Sequence, residues 1–331
     1  MRADLPTVID RAGVRSAVEL AVRAPSIHNT QPWIWRAGAA RIDLYADRSR
    51  QLRFVDPRGR GLHVSCGAAL FLLRAALRAA GWGESTSRVP NPYDPDHLAT
   101  VVITGRQPAA PEWNELVVAA RSRRTDRRPY QLRPITEPLI ADLRTGAVVE
   151  GAFLHRITRI DERLVLAVAV GRADDYEAAD LRYMAELEQW TGNDDREGIP
   201  AYAIPSPTGA TCGPARDFAG ARSGGLAAPR GRRSDRDALF VLATPGDSAV
   251  DQVRAGEALC HVLLMAARSG LAACPYTQPL EVPAPRLLLR RMLDGYGEPQ
   301  AILRVGWPDP GDAPPLTPRR PVTDVLHWSD D

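Results

Sequence analysis

Two stretches of the chain are apolar almost all round, and each runs from one glycine to another over the same interval. Residues 67–81 (GAALFLLRAALRAAG) and 256–270 (GEALCHVLLMAARSG) contain few polar positions, which is typical of buried helices. The final glycine of each stretch suits a helix C-cap. We therefore predict two central helices and the duplication of one structural unit. Chance similarity of alanine-rich helices is the alternative explanation.

Weaker patterns predict further elements around these helices. An amphipathic helix is predicted over residues 10–23, with Val14, Ala17, Val18, Ala21 and Val22 on one face, and a counterpart over 112–122. Apolar runs predict strands over residues 41–45, 97–104, 153–160, 238–243 and 300–305. This mixed order favours an α+β fold in three layers. We divide the chain into a first half, residues 1–111, and a second half, residues 112–331.

The second half carries an additional region from about residue 172 to 236. It begins as a helix with Tyr183 and Trp190, and then becomes rich in Gly, Pro, Ser and Arg. A stretch this irregular inside a compact chain is usually a functional lid or a disordered loop, and only a lid predicts that the aromatic residues cover something. The proline-rich tail after Trp307 is predicted to be extended on the surface.

Composition restricts the classes of function. The 331 residues are 44% hydrophobic with a formal net charge of +2, so no overall field attracts nucleic acid or an anionic membrane. All 42 basic residues are arginine, which favours planar, bidentate contacts. The start lacks a signal-peptide pattern, and no apolar run reaches the roughly 18 residues of a membrane span. Four scattered cysteines and no HExxH pattern indicate a reduced, cytoplasmic protein without a metal.

The N-terminal loop, residues 24–33 (APSIHNTQPW), carries many uncharged polar groups. Pro25 stops the preceding helix, and Ser26 leaves its amide and hydroxyl free to point outward. Asn29 and Gln31 each combine a donor with an acceptor, which matches the mixed edge of a pyrimidine-like ring. A helix-terminating loop with an Asx turn is the alternative. His28 is a candidate proton donor, or a hydrogen-bonded structural histidine.

The arginine segment, residues 123–130 (RRTDRRPY), offers fixed positive charge and a hydroxyl. Pro129 prevents a helix from continuing, and alternate residues of an extended stretch face the same side. Arg123, Thr125 and Arg127 would then converge on one oxyanion, such as a phosphate. The alternative is a solvated basic run that Asp126 neutralises.

Other nucleotide and hydrolase motifs are absent from the sequence. It contains no GxxxxGK[ST], no GxGxxG that opens a helix after a strand, and no GxSxG. No aromatic residues are interleaved with the arginine segment, as they are in single-strand binders. A phosphate would therefore be held without a P-loop or a Rossmann turn.

At these two motifs the chain resembles the FMN-dependent nitroreductase superfamily, and within it the Acg-type proteins, which look like two nitroreductase units fused in one chain. The resemblance implies a pseudo-dimer with a nitroreductase-like three-layer fold. One unit presents a Pro-Ser-x-x-Asn-x-Gln-Pro-Trp loop to the flavin ring, and the other presents an Arg-x-Ser-x-Arg/Lys phosphate clamp. Here the first half keeps the loop and the second half keeps the clamp. Residues 145–153 (TGAVVEGAF) stand where the second loop would be and do not match, so one FMN site per chain is expected.

The resemblance extends toward the C-terminus. Residues 270–277 match the family loop whose amides approach flavin N5, although Thr277 and Gln278 replace the Glu-Gly of many relatives. Residues 318–321 match a late basic pair near the phosphate. Arg230, Arg232 and Arg233 are candidates for the positive group beside flavin N1 and O2. The expected FMN-binding residues are Pro25, Ser26, Ile27, His28, Asn29, Gln31, Arg123, Arg124, Thr125, Arg127, Tyr276, Thr277, Arg319 and Arg320.

Two functions follow from the resemblance. The first is an oxidoreductase in which NADPH, NADH or another donor reduces FMN, and an electron-poor nitroaromatic or quinone then accepts the hydride. Because the flavin carries the chemistry, no catalytic side chain is assigned. The second is an FMN sequestration protein whose lid prevents turnover. A homodimer of the pseudo-dimeric chains is a further expectation, and no nucleic acid or membrane partner is expected.

Overall fold

The computed structural model describes residues 8–38, 40–108, 110–192, 197–204, 238–311 and 313–329. Its α-helices in these ranges are α1 (Arg11–Ala21), α2 (Arg60–Ala79), α3 (Pro111–Ser122), α4 (Glu137–Val149), α5 (Ile160–Ala179), α6 (Leu181–Trp190), α7 (Ala249–Arg268), α8 (Gln278–Glu281) and α9 (Pro283–Met292). Its strands are β1 (Trp33–Ala37), β2 (Arg41–Ala46), β3 (Trp82–Arg88), β4 (His97–Arg106), β5 (Phe153–Ile157), β6 (Ala238–Thr244), β7 (Ala272–Tyr276), β8 (Glu298–Gly306) and β9 (Leu326–Trp328).

The strands form two sheets with the same topology. One sheet has the order β3-β4-β2-β1-β9 and the other has the order β5-β6-β8-β7. Four strands of the first sheet, β1 to β4, correspond in order to β5 to β8 of the second, and each set pairs antiparallel. In both sheets the third of these strands along the chain is an edge strand that pairs with the fourth. The prediction of an α+β fold made of two like units is confirmed. The exception is β9, which leaves the second unit and pairs parallel with β1 of the first.

The two units meet where the predicted central helices cross. Helices α2 and α7 are both 20 residues long, and Gly67 and Gly256 are each the eighth residue of their helix. A Cβ on Gly67 would lie 2.0 Å from the carbonyl oxygen of Val253, and a Cβ on Gly256 would lie 2.0 Å from that of Val64. This reciprocal contact has the form of a two-fold interface, so the pair acts as an internal dimer axis.

Both central helices also end as predicted. The residue after each C-cap is a glycine in the left-handed region, Gly81 with φ of 76° and Gly270 with φ of 75°. A glycine adopts this conformation without a Cβ penalty. By length and composition α2 could cross a membrane, but 83% of its apolar window is buried inside the protein. It is therefore the core helix of the first unit.

A buried ionic network joins the units beside this axis. Arg74 Nη1 of α2 lies 2.8 Å from Glu150 Oε2 and 2.6 Å from Glu257 Oε1 of the second unit. Arg88 Nε of β3 also lies 2.5 Å from Glu257 Oε2. Glu257 is the ninth residue of α7, where α2 has Ala68. The network therefore has no symmetric copy at that position, and the two units are chemically distinct at their contact.

The additional region starts earlier than its composition indicates. β1 and β2 are joined by residues 38–40, whereas α5 and α6 lie between β5 and β6. Residue 172 falls inside α5, whose side chains pack against the same core cluster as α9. α6 instead reaches the first unit, where Tyr183 and Leu187 pack against Leu52 and Val55. Glu186 accepts hydrogen bonds from the amides of residues 53, 54 and 55.

The structure shows what occupies residues 145–153, where the second loop motif is not matched. Residues 145–149 belong to α4, and only residues 150–152 connect α4 to β5. In the first unit residues 22–32 separate α1 from β1. The second unit has no room for a loop of the same length. Helix α3 packs in the core of the first unit through Leu116, Ala119 and Ala120, and the boundary at residues 111 and 112 stays a prediction.

Candidate functional site

Three non-glycine residues of the N-terminal loop have a left-handed backbone conformation. His28, Asn29 and Gln31 have φ of 44°, 56° and 51°. Side chains other than glycine adopt this conformation at a cost, and such residues cluster at functional sites. Ser26 Oγ accepts a hydrogen bond from the Gln31 amide at 3.0 Å, and Ser65 Oγ accepts one from the Ile27 amide at 3.0 Å. The loop is therefore held in shape by the protein itself.

The two predicted ring-facing amides contact the C-terminal tail. Asn29 Oδ1 accepts from Arg319 Nη1 at 3.0 Å, and its Nδ2 donates to the carbonyls of Gly198 and Pro318 at 2.9 and 3.1 Å. Gln31 is completely buried, and its Oε1 accepts from the Arg320 amide at 2.8 Å. In this structure both side chains fix neighbouring segments, and their contacts with a ligand stay predictions.

The arginine segment extends the second sheet. Thr125 forms a parallel bridge with Ala273 of β7, and the Asp126 amide donates to the Ala273 carbonyl at 3.1 Å. Asp126 pairs with Arg128, with Oδ2 2.8 Å from Nη2. The acidic residue within the segment therefore neutralises Arg128 and forms no salt bridge with Arg123 within the described residues.

Arg123 and Arg127 have different neighbours among the described residues, and their convergence on one oxyanion stays a prediction. Arg127 Nη1 donates to the Ala203 carbonyl at 3.2 Å, and burial lowers its pKa while Cys274 acts in the opposite direction. Arg123 lies among other arginines, described next. Between them, Thr125 is held against β7 by its bridge to Ala273.

Four arginines gather between the two motifs: Arg23, Arg123, Arg124 and Arg319. Burial, together with the charges of Arg123, Arg23 and Arg124, lowers the pKa of Arg319 to about 9. Burial and the neighbouring arginines Arg124 and Arg23 also lower the pKa of Arg123. Within the described residues, none of the four forms a salt bridge with a carboxylate. Like charges gathered in this way are stable only with a compensating anion.

Three buried nitrogen atoms in this arginine cluster lack a hydrogen-bond partner within the described part of the chain. They are Arg23 Nε, Arg123 Nη1 and Arg319 Nε. A buried donor without an acceptor costs about 1–3 kcal/mol, and more when it is charged. The cluster therefore has both the charge and the free donors that a phosphate group would satisfy.

The cluster also ties the two motifs together. Arg23 Nη2 donates to the carbonyl of Arg121 at 3.0 Å, just before the arginine segment, and Arg319 Nη2 donates to the carbonyl of Arg23 at 3.4 Å. Arg124 Nε donates to the Pro314 carbonyl at 3.1 Å. The other member of the late basic pair, Arg320, lies outside the cluster and pairs with Asp47 at 3.2 Å.

The end of β7 provides the next predicted contacts. Tyr276 is buried and its hydroxyl donates to Gln278 Oε1. The half-buried Thr277 donates through Oγ1 to Glu281 Oε1 at 2.7 Å. Pro25 follows the end of α1, and Ile27 packs against the cluster of Leu52 and Val55. A ligand contact for each of these four residues stays a prediction.

A covering segment, residues 197–204, lies across both motifs. Its Gly198 carbonyl accepts from Asn29, and its Ala203 carbonyl accepts from Arg127. Glu197 binds Arg50 at 2.8 Å. Arg50 in turn donates to the Thr30 carbonyl at 2.5 Å, and its guanidinium lies 5.3 Å from the centre of the Trp190 ring. This segment thus bridges the loop and the arginine segment, and the lid over about residues 172–236 stays a prediction. Residues 193–196 and 205–237 lie outside the described residues, and the candidates Arg230, Arg232 and Arg233 are among them.

Two contributors were missed by sequence reasoning. Arg23 immediately precedes the loop motif, and that position is the one local signal for it. Arg50 follows β2 in a short 3₁₀ helix and has no motif of its own. Both arginines contact residues that are distant in the sequence, and a local sequence motif does not indicate such contacts.

Comparison with known proteins gives close relatives from Mycobacterium tuberculosis. The chain is 40% identical over 329 residues to a protein provisionally named NAD(P)H nitroreductase Rv3131, covering 97% of this chain and 93% of the relative. It is 36% identical over 330 residues to the one provisionally named NAD(P)H nitroreductase acg, covering 97% of each. No protein-family model matches the chain.

Solved structures show weaker likeness. The FMN-dependent nitroreductase NfnB from Mycobacterium smegmatis, in complex with NADPH, is 14% identical and covers 65% of this chain and 98% of its own, with a TM-score of 0.44. The relationship rests on the mycobacterial sequences, which extend over nearly the full length of the chain. The chain belongs to the nitroreductase family and, within it, to the group that includes acg.

Proposed function

We propose that the chain binds one FMN between the N-terminal loop and the arginine segment, and that it acts as a nitroreductase-type oxidoreductase. The supporting observation is the arginine cluster, which has no carboxylate partner among the described residues and three buried nitrogens without a hydrogen-bond partner. The names of the relatives Rv3131 and acg support NADPH or NADH as the donor. A nitroaromatic or quinone is the proposed acceptor.

The residues present fit a flavin mononucleotide. Arg23, Arg123 and Arg319 would hold its phosphate, because charge-assisted hydrogen bonds to a phosphate satisfy their free donors. Arg127, buried beneath the covering segment, would supply positive charge near the ring. The strained loop at Ser26 to Asn29 would orient the ring edge with backbone groups that are already fixed. Arg320 pairs with Asp47, so we assign it to the tail and not to the phosphate.

When bound, FMN supplies hydride transfer between the donor and the acceptor. The chain's own residues would bind and orient the ligands and exclude water. The covering segment would exclude water, because its carbonyls at Gly198 and Ala203 accept hydrogen bonds from both motifs. His28 is buried at the loop, and its role as a proton donor stays a prediction.

FMN sequestration is the second candidate function, and the covering segment favours it. A segment held at Asn29, Arg50 and Arg127 has to release several contacts before a donor could reach the ring. Anaerobic mixing of the FMN-loaded protein with excess NADPH or NADH separates the two functions. Loss of the oxidised flavin absorbance supports the reductase, and a flavin that stays oxidised with both donors supports sequestration.

The phosphate assignment is tested by Arg123→Gln. Loss of one charge-assisted contact of about 1.5–3 kcal/mol should weaken FMN binding roughly 10- to 100-fold. The matched control is Arg128→Gln in the same segment, because Arg128 is neutralised by Asp126. Titration of the apoprotein followed by flavin fluorescence gives both dissociation constants. Equal affinity of the two variants would refute the assignment.

Location and assembly complete the proposal. The described cysteines, Cys66, Cys260 and Cys274, are all free and buried, which suits a reducing cytoplasm. A homodimer of these two-unit chains stays part of the proposal, and sedimentation of the purified protein would establish it. We propose no nucleic-acid or membrane partner.

A further inference from the structure

Helix α5 is apolar on two opposite faces over residues 160–171. One face packs inside the chain through Leu166 and Ala169, which belong to the core cluster shared with α9. The other face carries Ile160, Leu164 and Val168, with exposed fractions of 79%, 61% and 48%. A helix that is apolar all round is usually buried on every side. The exposed face of α5 therefore indicates a partner that covers it.

The exposed face has the spacing of a seam between two helices. Its row consists of five exposed residues, Ile160, Leu164, Ala167, Gly171 and Ala178. The intervals of 4, 3, 4 and 7 residues are those of positions a and d of a heptad, with an aspartate at the intervening position 174. The distance between two packed helix axes depends on the side chains at the contact, and alanine allows close approach as well as glycine does. The row therefore fits another helix.

The shape of this seam is complementary to a reversed copy of itself. The large side chains of Ile160 and Leu164 come before Ala167, and the small residues Gly171 and Ala178 come after it. In an antiparallel pair with a two-fold axis beside Ala167, the large half of each helix would lie on the small half of the other. Such self-complementary contacts are the commonest interfaces of homo-oligomers.

The charges at the two ends of α5 also match in this arrangement. Arg159 and Asp161 pair at 2.5 Å and remain exposed, with side-chain fractions of 70% and 59%. Arg159 lies eight residues before Ala167 and Asp175 lies eight residues after it, whereas Asp161 lies six before and Arg172 five after. Each end of the helix would thus meet charges of opposite sign on a reversed copy, while a parallel pair would place each charge beside its own copy.

A cavity of about 640 Å³ lies beside the start of α5. Phe153, Val165, Met292 and Tyr296 form part of its wall. Tyr176 lies 11 residues, or about three helical turns, after Val165, so both lie on the same side of α5. It is 56% exposed. Because a two-fold axis between antiparallel helices keeps this side common to both, Tyr176 of a second copy would lie at the mouth of the cavity.

We propose that the chain forms a homodimer through an antiparallel, two-fold contact between its α5 helices, in which Tyr176 of each copy enters the cavity beside α5 of the other. An aromatic side chain seated in a pocket of the partner is a typical anchor of an interface. The inference rests on the homodimer of the proposed function, but on none of the FMN-binding residues.

Sedimentation equilibrium of the whole chain tests the contact. The wild type should have twice the 36.1 kDa of one chain. Leu164→Glu should raise the dissociation constant of the dimer by on the order of 100-fold or more, because each copy would bury a carboxylate against an apolar seam. Leu164 is exposed in the single chain, so circular dichroism should show a normally folded variant.

The matched control is Val118→Glu, which places the same charge on α3 at a residue that is 66% exposed. It should keep the dissociation constant of the wild type. Likewise, Tyr176→Ala should weaken the dimer roughly 10-fold, and Tyr93→Ala, at an exposed tyrosine of another loop, should not. A monomeric wild type, or equal constants for Leu164→Glu and Val118→Glu, would overturn the proposal.

Ala167→Cys tests the position of the two-fold axis. The introduced cysteines of the two copies would face each other, so a mild oxidant should link them, as a disulfide needs Cα atoms within about 7 Å. The wild type and Val118→Cys should stay unlinked on a denaturing, non-reducing gel. If the wild type is instead a monomer in which Ala167→Cys resists a thiol reagent, the chain covers this face itself and the second copy is refuted as the occupant.

FMN titration separates this inference from the proposed function. A dimer that binds no FMN but dissociates in Leu164→Glu would refute FMN binding and leave the α5 contact established. A chain that binds FMN and stays dimeric in Leu164→Glu, without linkage in Ala167→Cys, would keep the proposed homodimer and refute the contact through α5.

Discussion

Arg23 and Arg319 are 296 positions apart, yet the guanidinium of Arg319 donates to the carbonyl of Arg23. The motifs predicted Arg123 and Arg319 as phosphate contacts, but nothing local distinguished Arg319 from its neighbour Arg320. In the structure a carboxylate decides between them, because Asp47 takes Arg320 and leaves Arg319 in the cluster. Residue types were therefore predictable from the sequence, and their partners were not.

Asp56 gives a prediction at this scale. It is 6% exposed, and its Oδ2 accepts from the Leu62 amide at 2.8 Å at the start of α2. Burial, with a further contribution from Glu281, raises its pKa from 3.8 to about 6. The folded protein then holds a proton that the unfolded chain has already lost, so stability falls as pH rises from about 3.8 to 6. The loss is on the order of 3 kcal/mol.

Asp56→Asn should remove this pH dependence. Urea unfolding between pH 5 and pH 7.5 should show a smaller decrease in stability for the variant than for the wild type, while the exposed Asp142→Asn should follow the wild type. A variant whose stability has the wild-type slope would show that Asp56 is ionised without cost in the folded protein.

At the scale of elements, apolar patterns predicted both central helices and the strands β2, β4, β5, β6 and β8, whereas other elements were missed. Helices α2 and α7 were predicted from their apolar cores, although α2 begins seven residues before Gly67. α4 was missed because Pro138 and Gly146 resemble loop residues. Pro138 is tolerated in the first turn, and Gly146 allows close approach, since a Cβ there would lie 2.5 Å from Met265 Sδ. β9 has three residues and pairs with β1 from the far end of the chain, which no local pattern indicates.

The crossing of α2 and α7 gives the second prediction. Gly67→Ala should destabilise the protein by at least about 1–3 kcal/mol, because its Cβ would overlap the Val253 carbonyl in a packed interface. Gly171→Ala is the matched control in α5, where a Cβ meets nothing within 4 Å. There the better helix propensity of alanine should stabilise by about 0.5–1 kcal/mol. Denaturant unfolding measures both, and a tolerated Gly67→Ala would contradict the described crossing.

At the scale of the whole molecule, the two units depend on each other. The core of the first unit includes Val253, Cys260 and Leu264 from α7, and that of the second includes Val64 from α2. The ionic network around Arg74 spans the same contact. Burial opposes ionisation of Glu150, but nearby His261 and Arg74 overcome it and lower its pKa to about 2. The sequence predicted two like units, but the ionic network between them could not be predicted, because its members are far apart in the sequence.

Arg74→Met is the third prediction. It would leave the carboxylates of Glu150 and Glu257 buried without their shared partner, and breaking such a pair usually costs about 3–5 kcal/mol. The expected result is a clear fall in the midpoint of thermal unfolding. Arg15→Met breaks an exposed pair with Glu19 and should cost about 1 kcal/mol or less. Similar midpoints for the two variants would refute the importance of the network.

The placement of Ala68 and Glu257 at matching positions of the two central helices has an evolutionary consequence. In a homodimer encoded by one short gene, every substitution appears twice, so an acid at this position would face its own copy across the axis. Fusion of the copies lets a mutation arise on one side alone. In a fused protein, one unit can therefore specialise in binding the phosphate of a nucleotide and the other in binding its ring. The second, equivalent site can then be lost while the first is retained.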